Sequence, residues 1–94
     1  MKVRVWRYLV ADEHRAEFER EYGSDGSWAQ LFATTSGFVD TALYADTATP
    51  GCYLTVDRFA NAAGWERFHE ENTSAYAELA ERLGHLTVDQ QELV

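Results

Sequence analysis

The chain has 94 residues, of which 46% are hydrophobic and 26% are charged, the proportions of one ordinary globular domain. Eight Lys and Arg residues stand against sixteen Asp and Glu, and the resulting net charge of −8 repels nucleic acid backbones and anionic lipid headgroups. No apolar run approaches the roughly 20 residues that a membrane-spanning helix needs. We therefore expect one domain over residues 1–94, with neither nucleic acid nor a membrane as partner.

The cysteine and the N-terminal charges bear on the cellular compartment. The single cysteine, Cys52, has no partner for a disulfide within the chain and cannot build a thiolate metal cluster. Arg4 and Arg7 interrupt the apolar residues that a signal peptide would need. These features predict a reduced, cytoplasmic protein.

The first predicted strand, Lys2–Val10, is apolar on both of its faces. Read with the two-residue period of a strand, one face is aliphatic and the other is mainly aromatic. The two sets are Val3, Val5 and Leu9 against Trp6, Tyr8 and Val10. Helices can cover only one face of a small sheet, so the other face needs a second subunit or a ligand.

Two helical segments are predicted after this strand. Asp12 is a capping residue for the first helix, which runs to about Tyr22 before a glycine-rich break. The second helix is short and ends at Ser36-Gly37. Its apolar residues, at spacings of three and four, are Trp28, Leu31 and Phe32.

A hairpin, a long helical stretch and a last strand complete the chain. The hairpin has strands at 38–46 and 52–59 around the turn sequence 47–51. Asn61 is a suitable cap for the helical stretch, which loosens around 72–74 and ends at Gly84. Its apolar stripe consists of Trp65, Phe68, Tyr76, Leu79 and Leu83. The final strand, 86–94, is more polar, which is typical of a sheet edge.

This order of elements is the split βαβ pattern of an α+β, ferredoxin-like domain with a four-stranded antiparallel sheet. Right-handed crossovers place the helical segments on one face of that sheet. If the aromatic side faces the helices, the opposite face carries Val3, Val5, Leu9, Leu43, Cys52, Leu54 and Val56. An exposed aliphatic patch favours aggregation, so we predict that two sheets pack face to face in a homodimer.

Three local sequences mark the turns and strand ends of this pattern. They are the Ser36-Gly37-Phe38 turn into a strand, the Pro50-Gly51 hairpin, and the Asp57-Arg58-Phe59 strand end before a helix opening at Asn61. With these features the chain resembles the antibiotic biosynthesis monooxygenase superfamily of dimeric α/β barrels, and the resemblance covers nearly the whole chain. The resemblance implies a pocket between sheet and helices in each subunit. The superfamily includes quinone-forming oxygenases, haem-degrading enzymes and proteins without assigned chemistry, so the fold alone does not specify a reaction.

The expected pocket is rich in aromatic rings. The sheet contributes Arg4, Trp6, Tyr8, Tyr53, Thr55, Asp57 and Phe59, and the helices contribute Trp28, Phe32, Trp65, Phe68 and Tyr76. Flat apolar walls with a few polar tips suit a small planar aromatic or polyketide-like ligand, although rings at these spacings also form ordinary cores. Arg4 and Asp57, on neighbouring strands, either orient a polar group of the ligand or form a purely structural ion pair.

The catalytic residues of the superfamily do not carry over to this chain. Its quinone-forming oxygenases have an Asn, a Trp and a Tyr at the three positions that here hold Thr55, Phe59 and Trp65. Its haem-degrading branch requires an Asn and a His at the positions of Trp6 and Phe68. His69 follows Phe68 by one residue. This offset rotates its side chain by about 100° around the helix, out of the expected pocket.

Asp57 and His69 are the candidates for a general base. Neighbouring glutamates favour the charged form of His69. His14 lies on an acidic helix and His85 follows a helix end, so we interpret both as solvated or structural. No set of His, Asp and Glu shows metal-ligand spacing, and we expect neither a metal nor another cofactor.

Two functions remain open. In the first, the protein is a cofactor-independent oxidoreductase in which a quinol-type substrate reacts with oxygen, and Asp57 or His69 serves as the base. In the second, the same homodimeric fold holds a small hydrophobic ligand without turnover. The resemblance to the superfamily favours the first function. The absence of the superfamily's polar catalytic side chains from this chain favours the second.

Overall fold

The computed structural model describes all residues from Met1 to Val94 and confirms the predicted α+β fold. Its sheet has four antiparallel strands, which are β1 (Lys2–Val10), β2 (Phe38–Ala45), β3 (Cys52–Phe59) and β4 (Thr87–Glu92). In space the strands lie in the order β2-β3-β1-β4. This is the ferredoxin-like order that the split βαβ pattern predicts.

Four helices connect the strands. The helices α1 (Arg15–Tyr22) and α2 (Ser27–Phe32) lie between β1 and β2, and α3 (Ala62–Glu71) and α4 (Thr73–Leu83) lie between β3 and β4. Short 3-10 turns precede α1, at Asp12–His14, and follow α4, at Gly84–Leu86. None of the helices has both the length and the apolar composition needed to span a bilayer.

The helix starts confirm one predicted cap and correct another. The Asn61 side chain accepts a hydrogen bond from the Gly64 amide at 2.8 Å and caps α3. Asp12 does not cap α1. It begins the preceding 3-10 turn, and its carboxylate pairs with the guanidinium of Arg15. The predicted long helix is interrupted at Asn72, within the stretch where the sequence indicated loosening.

The helices cover one face of the sheet, and the core on that face forms two clusters. The first cluster comprises Tyr8, Val10, Phe18, Tyr22, Tyr53, Leu79, Leu83 and Leu86. The second comprises Phe32, Phe59 and Phe68. Four buried polar side chains lie on the same face of the strands, between the Tyr53 end and the Phe59 end of β3. We call these residues the polar strip: Arg4, Thr41, Thr55 and Asp57.

Leu43 lies on the helix-covered face, not on the opposite face where the sequence placed it. The pairing of β2 with β3 shifts register between Phe38 and Asp40, which is a β-bulge. A shift of one residue turns every later side chain of a strand to the other face. Leu43 therefore pairs with Thr55 and packs against the first core cluster, and Tyr44 points to the uncovered face.

The other aliphatic residues predicted for the uncovered face belong to neither core cluster. They are Val3, Val5, Leu9, Cys52, Leu54 and Val56. Leu9 is 42% exposed and Leu54 is 37% exposed, although both lie in regular strands. We call this side of the sheet the open face.

Two glycines, Gly51 and Gly84, differ in whether the backbone can accept a side chain. Gly51, in the hairpin, has a φ of +86°, and a Cβ there would lie 2.5 Å from the Val10 carbonyl oxygen. Gly84 has a φ of −60°, and a Cβ there would meet no atom within 4 Å. We expect Gly51→Ala to lower the free energy of unfolding by about 1–3 kcal/mol or more, because a left-handed backbone strains a side chain. Gly84→Ala should raise it by about 0.4–1 kcal/mol by restricting the unfolded chain. Urea unfolding measures both, and equal effects of the two substitutions would contradict this account.

Candidate functional site

A cavity of about 270 Å³ lies between the sheet and the helices. Its lining residues are Arg4, Trp6, Tyr8, Tyr22, Trp28, Phe32, Thr41, Thr55, Asp57, Tyr76, Ala80, Gly84, Thr87 and Gln90. They come from all four strands, from three helices and from the turn after α4. Half of the lining is hydrophobic, and the volume is near the lower end of the range for small-molecule sites, about 300–1,000 Å³.

Most of the site residues predicted from the sequence line this cavity. These are Arg4, Trp6, Tyr8, Trp28, Phe32, Thr55, Asp57 and Tyr76. The lining does not include Tyr53, Phe59, Trp65, Phe68 and His69. Phe59 and Phe68 are fully buried in the second core cluster, and the Tyr53 hydroxyl donates a hydrogen bond to Glu19.

His69 lies on the outer side of one cavity wall. Its side chain is exposed on α3, and its ring centroid is 5.8 Å from the ring of Tyr76 and 5.5 Å from that of Trp65. Tyr76 itself lines the cavity. A catalytic role for His69 therefore stays a prediction that would require movement of this ring or action through it.

The polar strip provides the charged part of the cavity. Asp57 is 5% exposed and accepts a hydrogen bond from the Thr41 hydroxyl at 2.9 Å. One guanidinium nitrogen of Arg4 lies 3.6 Å from the Asp57 carboxylate. Because the two residues pair across β1 and β3, the expected Arg4–Asp57 couple is formed.

Arg4 is held on several sides. Its guanidinium carbon lies 3.9 Å from the centroid of the Trp65 ring, a cation–π contact. Its other terminal nitrogen donates to the Tyr76 hydroxyl at 3.3 Å and lies 3.8 Å from the Glu92 carboxylate. These contacts fix the position of the charge beside Asp57.

Burial raises the pKa of the Asp57 carboxyl above its ordinary value. The Thr41 hydrogen bond and the Arg4 charge oppose this shift, but desolvation is the larger effect. A carboxyl group with a raised pKa at the edge of a cavity is a candidate for proton transfer, because general bases work best with a pKa close to the working pH.

The cavity also contains hydrogen-bond donors. Burial raises the pKa of Tyr8 and of Tyr22, so both phenols remain protonated at neutral pH. The indole nitrogen of Trp28 is buried and has no hydrogen-bond partner. Its proximity opposes the rise in the pKa of Tyr22 that burial causes, but the two groups do not reach hydrogen-bond geometry. An unpaired buried donor of this kind is uncommon, and a ligand oxygen would satisfy it.

Sequence reasoning missed several lining residues, among them Thr41, Thr87 and Gln90. Thr41 faces the cavity only because of the bulge in β2. Thr87 and Gln90 depend on the register of β4 against β1, which also shifts, between Leu9 and Val10. Tyr22 carried a detectable signal, because it belongs to the apolar side of α1.

Comparison with known proteins identifies the fold. No protein-family model and no curated protein matches the chain by sequence. Among solved structures, SnoaB, a cofactor-independent oxygenase from Streptomyces nogalater, matches with a TM-score of 0.66 and 19% identity, over 98% of this chain and 89% of that chain. A protein from Nitrosomonas europaea, provisionally named an antibiotic biosynthesis monooxygenase, matches with a TM-score of 0.71 and 8% identity, over 97% of this chain and 84% of that chain. This chain has the antibiotic biosynthesis monooxygenase fold.

The resemblance seen in the sequence is thus confirmed for the fold. Sequence identities of 19% and 8% show a shared fold and do not show a shared activity. The cavity lies between sheet and helices, in the region where the resemblance implied a pocket. The chemistry has to be inferred from the residues that line it.

The raised pKa of Asp57 predicts a pH dependence of stability. A carboxyl group whose pKa is higher in the folded state contributes stability below its unfolded pKa, which is near 3.8, and loses that contribution as the pH rises through the folded value. We therefore expect wild-type protein to lose stability relative to Asp57→Asn as the pH increases from acid to neutral. Urea unfolding of both proteins across this range measures the difference. A relative gain by the wild type would show that Arg4 outweighs desolvation.

Proposed function

We propose that this protein is a cofactor-independent monooxygenase-like protein that binds a small planar aromatic compound of quinol or polyketide type in the cavity. The observation that carries the proposal is the position of Asp57, a buried carboxyl with a raised pKa beside a cavity with aromatic walls. SnoaB, which shares the fold, is described as a cofactor-independent oxygenase. The proposed unit is a single domain of residues 1–94 in the cytoplasm, where Cys52 remains a free thiol.

In the proposed reaction the substrate supplies the electrons. The Asp57 carboxylate removes a proton from a phenol or from an activated ring CH2 group, and the resulting electron-rich anion transfers electrons to O2. One oxygen atom becomes a new carbonyl group on the ring carbon. The other leaves as water with the two hydrogens that the substrate loses, so the reaction balances without another reductant.

The walls of the cavity would orient this substrate. The rings of Trp28 and Tyr76 have centroids 5.0 Å apart, and those of Trp6 and Tyr8 are stacked at 6.2 Å. A planar ligand can pack against such surfaces and displace water from the reacting carbon. The free Trp28 N–H is suited to a ligand oxygen.

A second function, binding without turnover, is supported by the residues at the superfamily's catalytic positions. Phe59 is fully buried in the core, and Trp65 packs under the Arg4 guanidinium. Both side chains have structural roles, and neither can replace the polar groups of the quinone-forming oxygenases.

Oxygen uptake with a panel of anthrones and quinols tests the enzymatic proposal. We expect Asp57→Asn to lower kcat by about 10²–10⁴-fold, the usual contribution of a general base. Ligand binding, followed by tryptophan fluorescence, should persist in this variant. Asp25→Asn is the matched control, because it removes the same charge from an exposed loop.

Each other outcome has a definite meaning. A full rate in Asp57→Asn would contradict the role of this carboxylate, and a comparable loss in His69→Gln would transfer the role of base to His69. Binding by the wild type without oxygen uptake would support the second function. Absence of binding across the panel would overturn both functions.

We also propose that the protein forms a homodimer through the open face. Leu9 and Leu54 are among its large exposed apolar side chains, and Val5 and Val56 face each other in the β1–β3 ladder. A chain of this length buries only about 60–65% of its unfolded surface, so an added apolar interface would contribute useful stability. A second copy would cover the whole patch through a twofold contact.

Size-exclusion chromatography with light scattering tests the dimer. Wild-type protein should elute with twice the mass of one chain, and Leu54→Glu should elute as a monomer with unchanged circular dichroism, because a charge at the interface would be desolvated. Ala77→Glu, on the exposed side of α4, is the control and should remain dimeric. A monomeric wild type at high concentration, or a dimeric Leu54→Glu, would contradict the proposal.

A further inference from the structure

Three potential metal ligands from the two ends of the chain meet outside the cavity. His14 ends the 3-10 turn before α1, Glu17 lies in the first turn of α1, and His85 lies in the 3-10 turn after α4. One ligand atom from each residue lies within 4.8 Å of the others. This juxtaposition is purely tertiary, because it depends on packing of the α4 end against the α1 start.

The candidate ligand atoms are spread more widely than in an occupied zinc site. The Nε2 atom of His85 is 3.8 Å from the Glu17 carboxylate, and the imidazole rings of His14 and His85 are perpendicular with centroids 5.4 Å apart. In a tetrahedral zinc site with bonds of about 2.0–2.1 Å, the ligand atoms lie roughly 3.3 Å from one another. The three side chains are partly exposed, so small rotations can close the remaining distance.

The second ring nitrogen of His85 is already engaged in a way that suits metal binding. Its Nδ1 lies 3.2 Å from the Arg82 carbonyl oxygen, to which it donates a hydrogen bond. Metal-bound histidines usually direct their other ring N–H to such an acceptor, which leaves Nε2 as the ligand atom. That Nε2 atom lies 3.8 Å from the Glu17 carboxylate, and a metal cation between the two ligand atoms could bind both.

Although the spacing in the sequence predicted no metal site, we propose that His14, Glu17 and His85 bind a divalent transition-metal ion of the Zn²⁺ type. Two imidazoles and one carboxylate suit Zn²⁺ and its neighbours in the transition series, whereas Mg²⁺ and Ca²⁺ prefer oxygen ligands alone. Glu13, whose carboxylate is 3.8 Å from the Nε2 atom of His14, or a water molecule would complete the coordination. Protons compete for the same nitrogen atoms.

Metal binding would connect the turn before α1 to the turn before β4. Gly84, which precedes His85, lines the cavity. The ion would therefore brace one end of the cavity without contacting the proposed reacting groups. Because it binds the folded chain, it should raise the melting temperature, and above Kd the stabilisation should grow with the logarithm of the metal concentration.

Calorimetric titration of tag-free, chelator-treated protein with Zn²⁺ tests this site, and Co²⁺ absorption reports the coordination. We expect one Zn²⁺ per chain and a rise in melting temperature. His85→Ala and Glu17→Gln should each weaken Zn²⁺ binding by at least about tenfold. Substitution of a residue that only hydrogen-bonds a metal ligand already has an effect of this size, and here the ligand itself is removed. His69→Ala is the matched control, since this histidine is exposed on α3, away from the cluster.

Glu17→Gln preserves the shape of its side chain and keeps the test valid if a histidine variant folds poorly. Unchanged Zn²⁺ affinity in both His85→Ala and Glu17→Gln would overturn the proposal. Equal binding of Mg²⁺ would also overturn it, because it would show attraction to an acidic surface only. These outcomes are independent of oxygen uptake and ligand binding in the cavity.

Discussion

The ion pair between Arg4 and Asp57 determines how the helix side of this sheet is built. Charges buried at this depth must be paired and hydrogen-bonded, and the Thr41 hydroxyl and the Trp65 ring complete their surroundings. Further apolar side chains packed above these groups would remove the remaining solvent from them, which is costly for charged groups. The core is accordingly divided into one cluster at each end of the polar strip, and the cavity lies above the strip.

The division of the core into two clusters leaves a space whose binding properties depend on a few side chains. The monooxygenase fold provides a sheet with helices on one side, and a few side chains on the strands decide what the enclosed space can bind. In this chain, Phe59 stabilises the second core cluster and Trp65 stabilises the Arg4 charge. Among the groups that remain available to a ligand next to the aromatic walls are the Asp57 carboxyl, the N–H of Trp28 and the hydroxyls of Tyr8 and Tyr22.

The regular parts of the fold were predictable from local patterns. The apolar period of β1 and β3 identified the two faces of the sheet, and the pairing of Arg4 with Asp57 followed from placing these strands side by side. Irregular positions were not predictable in this way. The bulge between Phe38 and Asp40 moved Leu43 to the covered face, and the period of two residues contains no signal for such an insertion.

The sequence by itself determined the order of the elements, the apolar faces of the regular strands and most of the ring-rich cavity lining, because these features depend on spacings of two to four residues. Tertiary structure alone decided that Thr41 joins the cavity and that His14 comes close to His85. These placements depend on strand register and on how distant helix ends pack, and both are fixed by the sum of many long-range contacts, which no local spacing encodes.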